Sequence, residues 1–461
     1  MEVKSNEIQE DKIELEEKKL DGPSGGLEMK IFFIIFGIGS LLAWNAILSD
    51  ISFFIFYQGK YDPPTSFAFF NFFLNIAFQF VMIWNKQLIS FKTQLLFGLI
   101  ASIITLVALP IVVSSFEKNS LKGFIITGVI VVFQGLVNAF CCNGFYALVS
   151  FFPIEQIIAL SSGQGISGIL MNVIEYVILA SINTGDEAKN HKIGAVIFFS
   201  ISGFILLINL VILLFAFKTE YFQFYLSKTK DFNTNNNTIE GKIRNEGITT
   251  RSTGGNEKEE KLTENEKEEK LMENATPIVK ERHEVNFCEL FFLLYDVDLL
   301  SCYIYIVTFA LFPSVSISQR LFDFDKYRQI TIITIYNVFD TVGRSVVSKI
   351  KPTKILSYIV ICGRSILLFT LIFNHYLDMK ADTHTIYSIC LMLNVSILAL
   401  TNGIGTSLTF GLAPTLVPDE LKGRAGGSIG FFNILGIFLG TCLAFLSKYI
   451  MGRIGSIEDR K

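Results

Sequence analysis

Tyr336-Asn337-Val338-Phe339-Asp340-Thr341-Val342-Gly343-Arg344 sets an acid and a base four residues apart inside an apolar segment of helical length. Residues four apart share one helix face, so Asp340 and Arg344 point the same way. In a helix that starts near Arg328, Asp340 lies about 18 Å along the axis, close to the middle of a ~30 Å hydrocarbon core. Charge at that depth is costly, and such residues face a bundle interior or a water-filled cavity. Two readings are open at this point. The pair is either a structural ion pair that fixes helix packing, or part of a functional site, the default for ionisable groups inside a membrane.

Working outward, the rest of the chain puts this segment in a bilayer. Of 461 residues, 51% are hydrophobic and only 18% charged, with 45 Phe; mean hydropathy is +0.48. A soluble chain carries nearer a quarter charged residues, and here the apolar residues come in long runs, which selects an integral membrane protein. A net charge of −3 gives no nucleic-acid footprint. Of seven cysteines, all but Cys288 fall within apolar runs, so they read as small buried hydrophobes, not as a disulfide framework.

The pattern predicts an all-α polytopic protein with eleven membrane helices, roughly at 31–55, 66–85, 93–115, 122–148, 154–182, 193–217, 297–318, 328–349, 354–374, 385–412 and 425–450. Residues 1–30 form an acidic, polar tail without a signal-peptide pattern, expected to be cytosolic and disordered. A six-helix bundle over 31–217 precedes a charge-mixed, low-complexity segment, 218–296, in which Asn256–Leu262 recurs as Asn265–Leu271. Such a segment buries little and reads as a tether between bundles. A five-helix bundle over 297–450 and a short tail, 451–461, complete the chain. The Lys/Arg bias favours a cytosolic amino end and central loop, with the short tail outside, and a plasma-membrane location is expected.

Polar residues recur at helical spacing on several apolar segments. Asn71, Asn75 and Gln79 do so in the second helix, and Gln134 and Asn138 in the fourth. The fifth has Gln164, Ser167, Asn172 and Glu175; an eleven-residue step is close to three turns, so Gln164 and Glu175 share a face about 16 Å apart. The tenth has Thr401, Asn402, Thr406 and Ser407. Any one stripe is explained by interhelical hydrogen bonds, whereas several stripes together with an ion pair point to a polar cavity. Glu175 is a candidate proton-coupling group, since intramembrane acids mark proton relays; a protonated, hydrogen-bonded structural role is the alternative. Gly426-x-x-x-Gly430 and Gly436-x-x-x-Gly440 read as helix-packing patterns.

Other motifs exclude themselves. Gly163-Gln-Gly165-Ile-Ser-Gly168 matches a dinucleotide fingerprint in letters but lacks the strand that must precede it. His191, His283, His375 and His384 are placed in loops, where His375, Asp378, Asp382 and His384 read as solvated residues, not metal ligands. No phosphate loop or metalloprotease motif occurs, and neither a cofactor nor a metal is expected.

Four stretches together resemble the equilibrative nucleoside transporter family. Gly37-Ile-Gly39-Ser-Leu-Leu-Ala-Trp44-Asn45 is similar to its first-helix motif, with Ala43 where the family usually has Pro. Ser162-Gly163-Gln164-Gly165 resembles the fifth-helix motif, the opening Tyr336–Arg344 stretch the eighth, and Gly436–Gly440 the last. Arg364 matches an arginine of the ninth helix. The likeness runs from the first to the eleventh helix and omits the amino tail and the long loop.

The resemblance implies a fold similar to the major facilitator superfamily, in a 6+5 arrangement. It also implies transport of nucleosides or nucleobases, purines foremost, by alternating access, facilitative or proton-coupled. It places Trp44, Gln164, Asn337, Asp340 and Arg344 at the substrate; Asn75 and Asn138 of the polar stripes, with the motif residues Asn45 and Arg364, are expected to support a polar cavity. Those roles suit the chemistry. An aromatic face fits a nucleobase, an amide offers donor and acceptor, a carboxylate accepts from ribose hydroxyls, and a guanidinium donates in a fixed fork. The partners expected are substrate and lipid, with no nucleic acid. Rival readings are a carrier for another polar metabolite, a channel, and a membrane enzyme using Asp340 as base; no second catalytic group accompanies it at that depth.

Overall fold

The computed structural model describes residues 26–84, 89–149, 152–226, 285–322, 326–347, 350, 353–380, 384–418 and 421–458. The expectations for most of the amino tail and for the core of the central segment lie outside these residues. The regular structure of the described chain is all helical, with short 3-10 turns at Gly59–Tyr61 and Ala413–Thr415: α1 (Leu27–Ser49), α2 (Ile51–Gln58), α3 (Pro63–Trp84), α4 (Phe91–Val113), α5 (Leu121–Val149), α6 (Ile154–Ser181) and α7 (Glu187–Ala216) form the first half. The second half contains α8 (Phe287–Leu311), α9 (Ser314–Ser318), α10 (Arg328–Val347), α11 (Lys354–Gly363), α12 (Ile366–Lys380), α13 (Thr385–Leu412) and α14 (Lys422–Glu458). A further short helix covers 220–226, within the segment expected to be a tether.

Ten helical stretches among the described residues are long and apolar enough to cross a membrane. Helix α10 is not among them, because its charged and hydroxyl-bearing residues lower its hydropathy. Large apolar side chains such as Ile104, Val129, Phe204 and Phe369 are exposed on the outside of the bundle. In water such a surface would aggregate; here it is the lipid-facing belt. Polar residues point inward instead: Asn71, Asn75, Gln134, Ser167 and Asn172 are fully buried.

The helix starts explain two boundary differences. Helix α8 begins ten residues before the expected 297, because Glu289 accepts the Asn286 backbone N–H at 3.0 Å and closes the first turn. Helix α7 begins six residues before the expected 193, because the Asp186 carboxylate accepts from Ala188 N and Lys189 N at 3.0 and 3.3 Å. The last helix runs on to Glu458, through most of the expected tail.

Three expected single helices are broken, among them the seventh at Phe312–Pro313, between α8 and α9. The first is interrupted at Asp50, whose φ and ψ are −96° and 37°. The ninth is interrupted at Arg364–Ser365, where tight i−3 bonds run from Ser365 N to Cys362 O and from Leu367 N to Arg364 O. At the breaks of the first and ninth a charged residue is buried, Asp50 at 3% and Arg364 at 2% exposure.

Within the halves, α1 lies along α6, α4 along α5 and α7, α10 along α13, and α8 along α14. Two seams join the halves, α3 against α14 and α6 against α10. Small residues set the separations. A Cβ on Gly403 would overlap the Asp340 carbonyl, one on Gly163 the Ile34 carbonyl, and one on Gly436 the Cys302 carbonyl. The Gly436/Gly440 pattern is therefore a packing contact between α14 and α8. Gly426 is not, since a Cβ there would meet nothing within 4 Å. The seven cysteines are all free; Cys141, Cys142 and Cys302 are buried as expected, but Cys288 and Cys362 are exposed and Cys390 and Cys442 half-buried.

Candidate functional site

A cavity of about 120 Å³ lies between the halves, on the α6–α10 and α3–α14 seams. Trp44, Asn45, Asn138 and Gln164 line it from the first half, and Asn337, Asp340 and Arg344 from the second. Seven of the ten sequence-selected positions thus meet in one place. Asn75 and Arg364 stand one layer behind it, and Glu175 lies elsewhere.

The acidic wall is fully hydrogen-bonded. Arg344 Nε donates to Asp340 Oδ2 at 2.7 Å, and Asn402 Nδ2 donates to Asp340 Oδ1 at 2.7 Å. Both residues of the ion pair are only 6% exposed. Arg344 Nη1 also reaches Ser161 Oγ at 3.1 Å, so the guanidinium bridges α10 to α6 and therefore one half to the other. Behind Asp340 runs a relay: the Thr308 hydroxyl lies 2.8 Å from Asn402 Oδ1, and Arg364 Nη2 donates to Thr308 Oγ1 at 2.7 Å and to Leu398 O at 3.2 Å. Arg364 thus holds Asn402, which in turn fixes the Asp340 carboxylate.

Aromatic rings also line the cavity. The Trp44 ring stands edge-on to Phe72 at 5.1 Å, and Phe72 edge-on to Phe309 of the second half at 5.5 Å. Phe312 and Tyr336 stack at 4.0 Å with 6° between planes. Gln164 lines the same cavity with its amide engaged. Nε2 donates to Ser40 Oγ at 3.1 Å and lies 2.8 Å from the Tyr146 hydroxyl, which is 3.2 Å from Oε1. A ligand that uses this amide must exchange with Tyr146. The space is smaller than the ~300–1,000 Å³ of most small-molecule sites, so a ligand of nucleoside size needs the walls to part.

The polar stripes divide between cavity and seam. Gln79 reaches the cavity and donates to Asn75 Oδ1 at 3.0 Å, which places Asn75 behind it. Gln134 faces α4 instead, bonding Thr105 and Ser102. The α6 stripe is mostly a zipper to α1. Asn45 Nδ2 donates to Ser167 Oγ at 3.1 Å, and Ser49 Oγ to Asn172 Oδ1 at 2.7 Å. These bonds fill the seam between Gln164 and Glu175, so the shared face does not give them a shared cavity. Glu175 lines a second cavity of about 590 Å³, together with Asp50.

Sequence reasoning missed Tyr146, Tyr305 and Asn433 in the first cavity. Tyr146 had a signal, since it continues the four-residue spacing of Gln134, Asn138 and Cys142. Asp50 also had one, as a lone acid within an apolar run. Two histidines placed in loops lie on helices, His191 on α7 and His375 on α12. His384 Nδ1 pairs with Asp378 Oδ1 at 2.7 Å, and Arg320 N donates to Asp378 Oδ2 at 3.2 Å, so that carboxylate is committed to a loop clasp. His283 and Asp382 lie outside the described residues.

Comparison with known proteins agrees with this architecture. The nucleoside transporter family profile matches residues 127–449. The chain is 25% identical over 426 residues to equilibrative nucleotide transporter 7 of Arabidopsis thaliana, covering 89% of this chain and 92% of that protein. It is 23% identical to equilibrative nucleoside transporter 3 of Rattus norvegicus, covering 97% and 96%. The solved structure of a major facilitator superfamily proton:xylose symporter superposes with a TM-score of 0.53 at 13% identity, covering 92% of this chain and 94% of that one. At that identity the likeness concerns the fold alone.

Proposed function

This chain belongs to the nucleoside transporter family, and from that premise we propose that it carries nucleosides across a membrane by alternating access, binding them in the cavity between its halves. The observation that carries the reading is that the buried Asp340–Arg344 pair of the second half and Trp44 of the first line the same cavity. The base slots against the Trp44 face, Gln164 exchanges Tyr146 for a base edge, and Asp340 and Arg344 take the ribose hydroxyls or remaining base atoms. Asn337 completes the wall on α10. Counting α10 with the ten apolar stretches gives eleven spans, six before the central segment and five after it.

Polar contacts tie the halves at the end where α1 meets α2. Lys448 Nζ lies 2.9 and 2.8 Å from the Asp62 oxygens, Thr65 bonds Ser314, and the Tyr176 and Thr331 hydroxyls are 2.7 Å apart. These are the contacts that must break for the site to open at that end. With a cytosolic amino end that end is external, and the plasma membrane is the expected location. The family is one of transporters, so Asp340 is assigned to binding and not to catalysis.

The test is uptake of labelled adenosine by cells lacking endogenous nucleoside carriers, with unlabelled nucleosides and bases as competitors. Saturable uptake is expected, inhibited by purine nucleosides and nucleobases ahead of pyrimidines. Uptake indistinguishable from vector-only cells for every nucleoside would remove the substrate assignment.

A further inference from the structure

The second cavity is built around two acids that the transport site does not use. Asp50, at the break between α1 and α2, is 3% exposed, and Glu175 on α6 is 2% exposed. Each carboxyl group is near enough to act electrostatically on the other, and Ser52 and Phe53 also face Asp50. Among the described residues no donor reaches Asp50 Oδ2 or Glu175 Oε2. Both residues line the cavity of about 590 Å³. Two carboxylates in contact cannot both ionise without a large electrostatic penalty, and one proton held between them relieves it. It also gives the two orphan oxygens a shared partner.

The geometry points to a proton-binding dyad: we propose that Asp50 and Glu175 share a proton taken up through this cavity, and that its occupancy is linked to the transport cycle. This deepens the transport reading and rests on it. The link is structural. Lys326 and Gln329 of the second half close the cavity over α6, and Lys326 Nζ is anchored on Leu179 O at 2.7 Å. When the halves part, this cation leaves the mouth, so the field at the dyad differs between the two conformations. A proton bound with unequal strength in two states shifts their equilibrium, and substrate flux then depends on pH. The proton comes from the solution that the cavity faces and is released when the conformation changes; no covalent bond is made or broken.

Other charged groups face the same space. Glu187 and His191 line it from α7, and Lys118, whose Nζ sits 3.3 Å from the Phe56 ring centroid, is electrostatically coupled to His191. His191 could itself confer pH dependence, so the test includes it.

Purified protein in liposomes is assayed for adenosine uptake across external pH, with an internal pH dye reporting proton entry, and for adenosine exchange at fixed pH as the control for transport itself. Wild type is expected to take up adenosine several-fold faster at about pH 6 than at about pH 8, with adenosine-dependent internal acidification. Glu175→Gln and Asp50→Asn should flatten the profile and abolish the acidification while exchange continues, and His191→Gln should keep the wild-type profile. Wild-type uptake that is pH-independent and proton-silent, with exchange intact, overturns the dyad and leaves the transporter standing. A profile lost in His191→Gln but kept in Glu175→Gln overturns it as well. If neither carboxyl variant assembles, a wild-type dye signal that persists in His191→Gln supports the dyad and one that is absent or lost there overturns it, and absence of exchange in wild type would instead sink the transport reading.

Discussion

Neutralising the Asp340–Arg344 pair one member at a time and then together separates a structural ion pair from a binding pair. Asp340→Asn keeps the shape and the acceptor for Asn402, but leaves the Arg344 guanidinium buried at 6% exposure without its counter-charge. Arg344→Gln leaves the Asp340 carboxylate buried with Asn402 as its remaining donor and removes the bond to Ser161. Breaking one side of a buried pair costs about 3–5 kcal/mol, whereas replacing both members by neutral groups is close to neutral. Each single variant should therefore lose most folded, membrane-inserted protein. The double variant Asp340→Asn/Arg344→Gln should recover abundance, because no uncompensated charge remains. Substrate contact is not recovered. A charge-assisted hydrogen bond is worth roughly 1.5–3 kcal/mol, so losing two lowers affinity by about two to four powers of ten. The assay is size-exclusion chromatography of detergent-solubilised, fluorescently tagged protein alongside adenosine uptake normalised to surface protein. A double variant that restores both abundance and wild-type uptake would refute the binding role and make the pair purely structural.

Three further outcomes follow from the same geometry. Gly403→Ala forces a Cβ into the Asp340 carbonyl, so α13 must move away from α10 and carry Asn402 with it; destabilisation of about 1–3 kcal/mol is expected, while Gly426→Ala, with open space around it, should behave as wild type in chromatography and uptake. Arg364→Ala should raise the KM for adenosine more than it lowers surface abundance, because the residue acts on Asp340 through Thr308 and Asn402; unchanged KM in a kinetic titration would break the relay. The sequons at Asn236 and Asn274 should stay unmodified in a eukaryotic host if the central segment is cytosolic, so a glycosidase-sensitive mass shift lost in Asn236→Gln would invert the topology.

Much of the fold was legible because a bilayer simplifies the problem. Long apolar runs must be helices there, since every backbone polar group needs an internal partner, and the predicted 385–412 span coincides with α13. Helix starts in solvent were read late at α7 and α8, because capping by Asp186 and Glu289 extends a helix into polar sequence that hydropathy ignores. The breaks at Asp50 and Arg364 were illegible for the opposite reason, since each lies inside a long apolar run in which a few small or polar residues, Ser49 and Ser52 or Gly363 and Ser365, do not lower hydropathy enough to mark an end. In the site, the i,i+4 pair and the glycine-flanked Gln164 announced themselves by placing polar atoms where they are costly. Tyr305 did not, because an amphipathic aromatic is unremarked in an aromatic-rich helix, and Tyr146 was marked only by continuing the Gln134–Asn138–Cys142 spacing. Periodicity alone also overreached: it put Glu175 on the Gln164 face, but the α1 partners of Ser167 and Asn172 occupy the space between. A helical wheel gives direction, and only the neighbouring helix decides whether that direction holds a cavity or a hydrogen bond.

The most direct test of the central claim is counterflow. Liposomes containing the purified protein are preloaded with unlabelled adenosine and diluted into a trace of labelled adenosine. A carrier whose single site faces one side at a time should concentrate label inside transiently above the external level, with the overshoot abolished in the Asp340→Asn/Arg344→Gln double variant. Entry that only approaches equilibrium, rises linearly with concentration and is indifferent to preloading would contradict alternating access and make the cavity a pore.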